Sequence, residues 1–314
     1  MAELDNRDDI RLHAARLLKI AGVNERLPTP VDELVEASGL LEDPSYAITE
    51  SVIAQMPKWM ARHLRSAQRK VKGIIDRRER VINVDETLEQ RQRKFVKLHE
   101  VSHDILPWQH DLLVAVETGL TLSATFEQLF EREANQCAAD LFFQSGLLKK
   151  IAKDHPLDIT TPLQLADMFG ASRRATFRHW VEEVKPSACG FLVSLTPLAG
   201  DVPRYKRLEC SASEAWHDEF GEHTFPKCLS VDLFTFLSGL AISDRLDTEW
   251  TLTDLNGEPQ VVRVQSFCNS YNHFVLVWAP RKEGLVARMR KRPIVASTNG
   301  ITSRSRIRTR RVLA

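Results

Sequence analysis

The chain has 314 residues, 43% of them hydrophobic and 27% charged, and its formal net charge is +1. These values are ordinary for a globular protein, and the length predicts about two domains with a sizeable core. No segment approaches the roughly 18 consecutive apolar residues that a membrane-spanning helix requires, and the acidic, polar start does not resemble a signal peptide. We therefore expect a cytoplasmic protein without a membrane partner.

The cysteines do not form a recognisable metal or redox motif. The chain has five of them, scattered and without a C-x-x-C pair: Cys137, Cys189, Cys210, Cys228 and Cys268. This pattern argues against a zinc ribbon and against a C-x-x-C redox site. We expect all five to be free thiols.

The hydrophobic pattern up to about residue 185 is mainly helical. Helices are predicted over 8–22, 28–40 and 57–70, followed by a β-hairpin that pairs Gly73–Ile75 with Arg80–Val84. Further helices are predicted over 88–106, 123–145, 161–169 and 172–184. After Pro186 the pattern changes to the β-rich runs CGFLVSL, VVRVQSF and HFVLVWA, around a stretch, CLSVDLFTFLSGLAI, that suits either a helix or a strand.

The helix predicted over 88–106 contains the motif H-E-x-x-H in the run LHEVSH. His99 and His103 are four residues apart, so on a helix both imidazoles project from one face and can share a metal ion. Glu100 lies beside them and is placed to activate a water on that metal. A catalytic zinc site takes three protein ligands and leaves one position for water, so a third ligand is required.

The third ligand is expected on the next helix, within FEQLFEREANQCAADLFF, where Glu127, Glu131 and Glu133 are the candidates. The buried stripe of that helix is predicted to comprise Phe126, Phe130, Ala134, Cys137 and Leu141. Glu131 borders this stripe, whereas Glu133 points well away from its centre, so the spacing favours Glu131. Asn135, one turn later, is a candidate to hydrogen-bond the ligand carboxylate or to brace the helix.

The last segment of the chain, residues 281–314, is strongly basic. It holds eleven Lys or Arg against one acidic residue, Glu283, so it carries about +10 while the remainder carries about −9. With few large apolar residues it is expected to be disordered. A sharper interpretation is that it attaches to nucleic acid or to an acidic partner.

Two segments, RQRKFVKLHEVSH and EREANQCAADL, together resemble the ImmA/IrrE metallopeptidases. The family pattern is an Arg and a Phe upstream of H-E-x-x-H, followed further along by E-x-x-A-N-x-x-A. The matching positions here are Arg91 or Arg93, Phe95, His99, Glu100, His103, Glu131, Ala134, Asn135 and Ala138. The resemblance therefore makes Glu131 the third ligand, and it covers roughly residues 8–184.

The resemblance also implies a fold and a function. It implies an α+β protein in which residues 1–185 form a mainly helical, zincin-like domain with a small antiparallel sheet. Residues 186–280 would form a smaller β-containing domain, either a sensor resembling GAF domains or a generic interaction domain. Members of the family are typically cytoplasmic proteases that cleave or inactivate a DNA-binding repressor. A helix-turn-helix repressor is therefore the implied substrate, and its loss would switch on stress-response or mobile-element genes.

The expected mechanism assigns a role to each candidate residue. Bound zinc supplies an activated water and polarises the scissile carbonyl, while Glu100 takes the water proton and passes it to the leaving amine. His99, His103 and Glu131 hold the metal. The oxyanion needs a further donor, and Arg178 and His179 are the candidates. A set of two histidines and one carboxylate also serves Mn or Fe.

Two other interpretations stay open. The segment near 161–184, PLQLADMFGASRRATFRHWVEE, has the pattern of a helix-turn-helix in which Arg173 and Arg174 would face DNA, with the basic tail adding phosphate contacts. In the other interpretation the chain binds zinc but does not cleave a substrate, and it acts as a binding partner of a repressor or a toxin.

Overall fold

The structure is a computed structural model. It describes residues 6–43, 73–76, 79–85, 87–110, 124–194, 204–222, 225–240 and 243–280. The helix predicted over 57–70 lies outside these ranges. Contacts divide the chain into a unit of residues 1–280 and a unit of residues 281–314, and the second unit, with its predicted disorder, also lies outside the described residues.

The helices of the described ranges are α1 (Arg7–Ile20), α2 (Val31–Ala37), α3 (Gln90–Ile105), α4 (Ala124–Phe142), α5 (Leu147–Ala152), α6 (Thr160–Phe169), α7 (Arg173–Glu183), α8 (Glu214–Phe220) and α9 (Leu237–Leu240). Local sequence fixes several of their ends. Gly170 adopts the left-handed conformation that ends α6, and the Ser172 side chain accepts a hydrogen bond from the backbone N–H of Ala175 to begin α7. Helix α3 ends just before Pro107, as the sequence predicts.

The strands are β1 (Leu41–Glu42), β2 (Gly73–Asp76), β3 (Val81–Val84), β4 (Ala188–Ser194), β5 (Arg204–Ala212), β6 (Cys228–Ser230), β7 (Arg245–Thr253), β8 (Pro259–Cys268) and β9 (Asn272–Trp278). They form two sheets. In the small one, β2 and β3 make the predicted antiparallel hairpin, and β1 adds to β3 in parallel. The large sheet is antiparallel throughout, with strand order β6-β5-β4-β9-β8-β7.

The large sheet separates two hydrophobic clusters. Leu192, Phe274 and Leu276 pack into the cluster that the helices form, and the residues that alternate with them, such as Val275 and Val277, pack into a second cluster on the opposite face. Because both faces are covered, β4 is almost entirely buried. Helix α7 lies against β4 and β5 and joins the helical part of the chain to the sheet.

The predicted α+β class is confirmed, and so is the predicted change from helices to strands after Pro186. The stretch that suited either a helix or a strand contains one of each, β6 and α9. The domain boundary predicted near Lys185 stays a prediction, since residues 1–280 form one contact unit. All five cysteines are free, as expected, and the sulfur atoms of Cys189 and Cys210 approach to 3.6 Å across β4 and β5.

No helix in the described part of the chain combines the length and the apolar character that crossing a membrane requires.

The contact between α7 and the sheet depends on Gly190. A Cβ atom at this position would lie 2.7 Å from ring atoms of Phe177 and 2.7 Å from a methyl group of Val181, both on α7. We expect Gly190→Ala to lower the free energy of unfolding by about 1–3 kcal/mol, because the helix must move away from the sheet. Urea unfolding measures this. The control Val261→Thr, at an exposed position on β8, should stay within about 0.5 kcal/mol of wild type. Equal stability of all three proteins would contradict the close packing.

Candidate metal centre

Helices α3 and α4 pack against each other and carry the candidate ligands. On α3, the core side is formed by Leu98 and Val101, both fully buried. This leaves His99 and His103, one helical turn apart, on the side that faces Glu131 of α4. The start of α3 follows the small sheet, and Arg80, in the turn before β3, binds Asp104 near the helix end at 2.6 Å.

Three donor groups converge between the two helices. The Nε2 atoms of His99 and His103 are 3.2 Å apart. The carboxylate oxygens of Glu131 lie 3.3 Å from Nε2 of His99 and 3.5 Å from Nε2 of His103. Among the described residues, these three are the group of His, Cys, Asp and Glu side chains that could hold a metal ion.

The spacing of these atoms fits zinc. In a tetrahedral site with metal–ligand distances of about 2.0–2.1 Å, neighbouring ligand atoms are separated by about 3.3–3.4 Å. The separations of 3.2, 3.3 and 3.5 Å are close to this value, with Oε2 of Glu131 near His99 and Oε1 near His103. Protons on the two rings would satisfy only the two contacts with Glu131, whereas a single cation satisfies all three. The set of two imidazoles and a carboxylate also leaves the fourth tetrahedral position free of these ligands.

The electrostatics of the group favour a bound cation. Hydrogen bonds with His103 and His99 hold the pKa of Glu131 well below its usual range, even though its side chain is 61% exposed. Burial lowers the pKa of His99, but its hydrogen bond with Glu131 and the charge of Glu100 outweigh burial and raise it. Glu100 is buried next to the site. The group therefore concentrates negative charge around two ring nitrogens.

Each histidine ring is held by an amide side chain. His103 Nδ1 lies 2.7 Å from Oε1 of Gln109, which the sequence did not point to because it follows Pro107 in a separate helical turn. His99 hydrogen-bonds the side chain of Asn135, and the Nδ2 of that residue donates to the Glu131 carbonyl at 2.6 Å. The Asn135 side chain thus contacts both the backbone of its own helix and a histidine, and its predicted role stays a prediction. Such contacts set the orientation of ligand rings.

Two expectations for α4 are wrong. Phe126, predicted to lie in the buried stripe, is 54% exposed, although the other four members of the stripe are buried. Glu133, predicted to point well away from the stripe, is only 1% exposed. At about 100° per residue, Glu133 lies about 60° from the centre of that stripe and Glu131 about 100°, so helical phase itself places Glu133 nearer the buried side. Trp108, Gln109 and Asn6 cover this position, and all three donate hydrogen bonds to Glu133. The Glu127 side chain lies outside the described residues.

Arg178 and His179, the candidate oxyanion donors, make their contacts elsewhere on α7. Arg178 binds Glu209 of β5 at 3.5 Å, and the buried His179 ring stacks on Phe143 with centroids 4.8 Å apart. In this arrangement both side chains would have to exchange these contacts to reach a substrate. Their catalytic role stays a prediction.

The same helix bears on the helix-turn-helix interpretation. Arg174 pairs with Glu209, and the Arg173 guanidinium lies over the ring of Phe267 at 5.5 Å. The apolar side of α7 is buried through Phe177 and Trp180. The basic residues expected to face DNA are therefore directed at the sheet of the same chain.

The buried His179 predicts a pH dependence of stability. Burial lowers its pKa from 6.5 to about 4. The unfolded chain therefore binds a proton between pH 6.5 and 4 that the folded chain does not, so stability is full above pH 6.5 and falls as the pH drops toward 4. The loss reaches about 3 kcal/mol at most. Urea unfolding in the presence of a chelator measures it, and His179→Phe should lose less stability over the same range. Identical pH profiles would contradict the assignment.

Comparison with known proteins agrees with this geometry. Residues 52–178 match the family described as IrrE N-terminal-like domain (Peptidase_M78), and the matched segment contains both α3 and α4. A Mycobacterium tuberculosis transcriptional regulator of known structure is similar, with a TM-score of 0.50 and 15% identity over 95% of this chain and 96% of that chain. At this identity the likeness shows the fold alone. A comparison with curated proteins gave no match. The match over residues 52–178 confirms the resemblance to the ImmA/IrrE metallopeptidases that the two motif helices indicate.

Proposed function

We propose that the chain is a zinc-dependent endopeptidase whose substrate is a DNA-binding repressor. The observation that carries the proposal is the convergence of His99, His103 and Glu131 at the spacing of a tetrahedral metal site, with the buried Glu100 beside it. The match to a metallopeptidase family supports the reaction class. The repressor substrate rests on the resemblance of the motifs, and the similar protein named a transcriptional regulator is compatible with it.

Each residue of the site has a separate role in peptide hydrolysis. His99, His103 and Glu131 hold the ion, and Asn135 and Gln109 orient the two rings through their hydrogen bonds. When bound, zinc supplies an activated water and polarises the scissile carbonyl. Glu100 takes the proton from the attacking water and delivers it to the leaving amine. The burial of Glu100 keeps this transfer away from bulk solvent.

The two rival interpretations differ from this proposal in what they require. A non-catalytic zinc protein needs the same three ligands but makes no use of Glu100. A helix-turn-helix regulator needs a free basic face on α7, and Arg173, Arg174 and Arg178 all contact the sheet. The described contacts therefore favour the metallopeptidase over direct DNA binding.

The metal site predicts the zinc content of purified variants. Wild type should hold about one zinc ion per chain, and His99→Ala and Glu131→Gln should lose most of it, because two remaining ligands bind zinc weakly. His217→Ala and Glu36→Gln change exposed residues of the same types on other helices and should keep the ion. Elemental analysis of all five proteins measures this. A metal-free wild type, or equal loss in the controls, would contradict the site.

The role of Glu100 as general base predicts that its replacement removes peptide cleavage without removing the metal ion. Glu100→Gln should keep zinc but lower the cleavage rate by about 10²–10⁴-fold, because the general base is removed. New protein N-termini can be counted by mass spectrometry after zinc-loaded wild type or Glu100→Gln is added to a lysate of the source organism. We expect discrete sites with wild type only. The same result with both proteins, or no new N-termini with either, would favour a non-catalytic zinc protein.

A further inference from the structure

A buried carboxylate lies behind the metal group without belonging to it. Glu133 accepts three hydrogen bonds: Oε2 from Gln109 Nε2 at 2.7 Å and from Trp108 Nε1 at 2.8 Å, and Oε1 from Asn6 Nδ2 at 3.2 Å. Gln109 is fully buried and reaches His103 with its other amide atom. An unbroken hydrogen-bonded path thus leads from Glu133 to a predicted metal ligand.

The donor and acceptor groups of these side chains fix the direction in which each hydrogen bond along the path is donated. An ionised carboxylate only accepts hydrogen bonds, so the Gln109 amide must turn its NH₂ group toward Glu133. The same NH₂ group also donates to the Phe130 carbonyl at 3.1 Å, which reinforces this orientation. The amide oxygen then faces His103, and because an amide oxygen only accepts, Nδ1 of His103 must carry the proton. In the neutral ring this leaves the lone pair of Nε2 directed at His99 and Glu131, whereas the protonated ring donates from Nε2 to Glu131 as well.

We propose that Glu133 is a positioning residue that acts through Gln109 to fix the tautomer of His103 that a metal ion requires. Trp108 and Asn6 donate to the same carboxylate, so the residue before α1 is tied to the metal group as well. The metal part of this inference rests on the proposed function, whereas the tautomer of His103 does not.

A reciprocal exchange tests the path. In Glu133→Gln the amide at 133 can present either its nitrogen or its oxygen, so the orientation of Gln109 is no longer set. In the double variant Glu133→Gln/Gln109→Glu, the carboxylate introduced at 109 accepts from both His103 Nδ1 and the amide at 133, which restores the polarity. The matched control is Asp140→Asn, which alters a buried carboxylate on α4 that accepts from Gln136 but does not contact the metal group.

Zinc affinity, measured by competition with a chromogenic chelator, should fall about 10–100-fold in Glu133→Gln and recover in the double variant. Asp140→Asn should bind zinc as wild type does, whatever its stability. Equal affinity in wild type and Glu133→Gln, or a double variant no better than the single one, would overturn the proposal.

The tautomer is read separately, from ¹⁵N shifts of the histidine rings in zinc-free protein. At a pH high enough for the His103 ring to be neutral, we expect its proton on Nδ1 in wild type and in the double variant, and a mixture of tautomers in Glu133→Gln. A wild type with the proton on Nε2 would overturn the proposal even if zinc binds. A wild type that binds no zinc but has the proton on Nδ1 would instead overturn the proposed function and leave the positioning role supported.

Discussion

The structure of the site depends on one constraint, the close approach of two ring nitrogens and a carboxylate between α3 and α4. Lone pairs about 3.3 Å apart repel one another unless protons or a cation lie among them. Protons on both rings satisfy the two contacts with Glu131 but leave two N–H groups facing each other across 3.2 Å. A cation satisfies all three contacts, and it also accounts for the buried Glu100 beside His99, which adds further negative charge.

The rest of the fold holds the two helices at this separation. Their apolar sides enter the large helical cluster, where α3 contributes Leu98 and Val101 and α4 contributes Cys137 and Leu141. Helix α7 packs closely against β4 at Gly190, so the large sheet supports the helical layer. The polar contacts of Gln109, Asn135 and Glu133 then fix ring orientations that apolar packing alone leaves free.

The sequence predicted those parts of the site that follow from helical spacing. His99 and His103 share a face because they are four residues apart, and Glu131 joins them because the next helix packs alongside. The hydrogen-bond partners of Gln109 and Glu133 could not be predicted in this way. Their roles arise from Trp108 and Asn6, which reach the same carboxylate from distant parts of the chain, and periodicity within one helix carries no information about such contacts. For the same reason, Phe126 looked buried although its surroundings leave it exposed.

Anomalous diffraction at the zinc absorption edge, from crystals of the zinc-loaded protein, would locate the ion. We expect one strong peak between α3 and α4, with Nε2 of His99, Nε2 of His103 and a Glu131 oxygen at about 2.0–2.2 Å and a fourth position without a protein ligand. A peak bound by Glu133, or one that lies away from these three residues, would contradict the proposed zinc site.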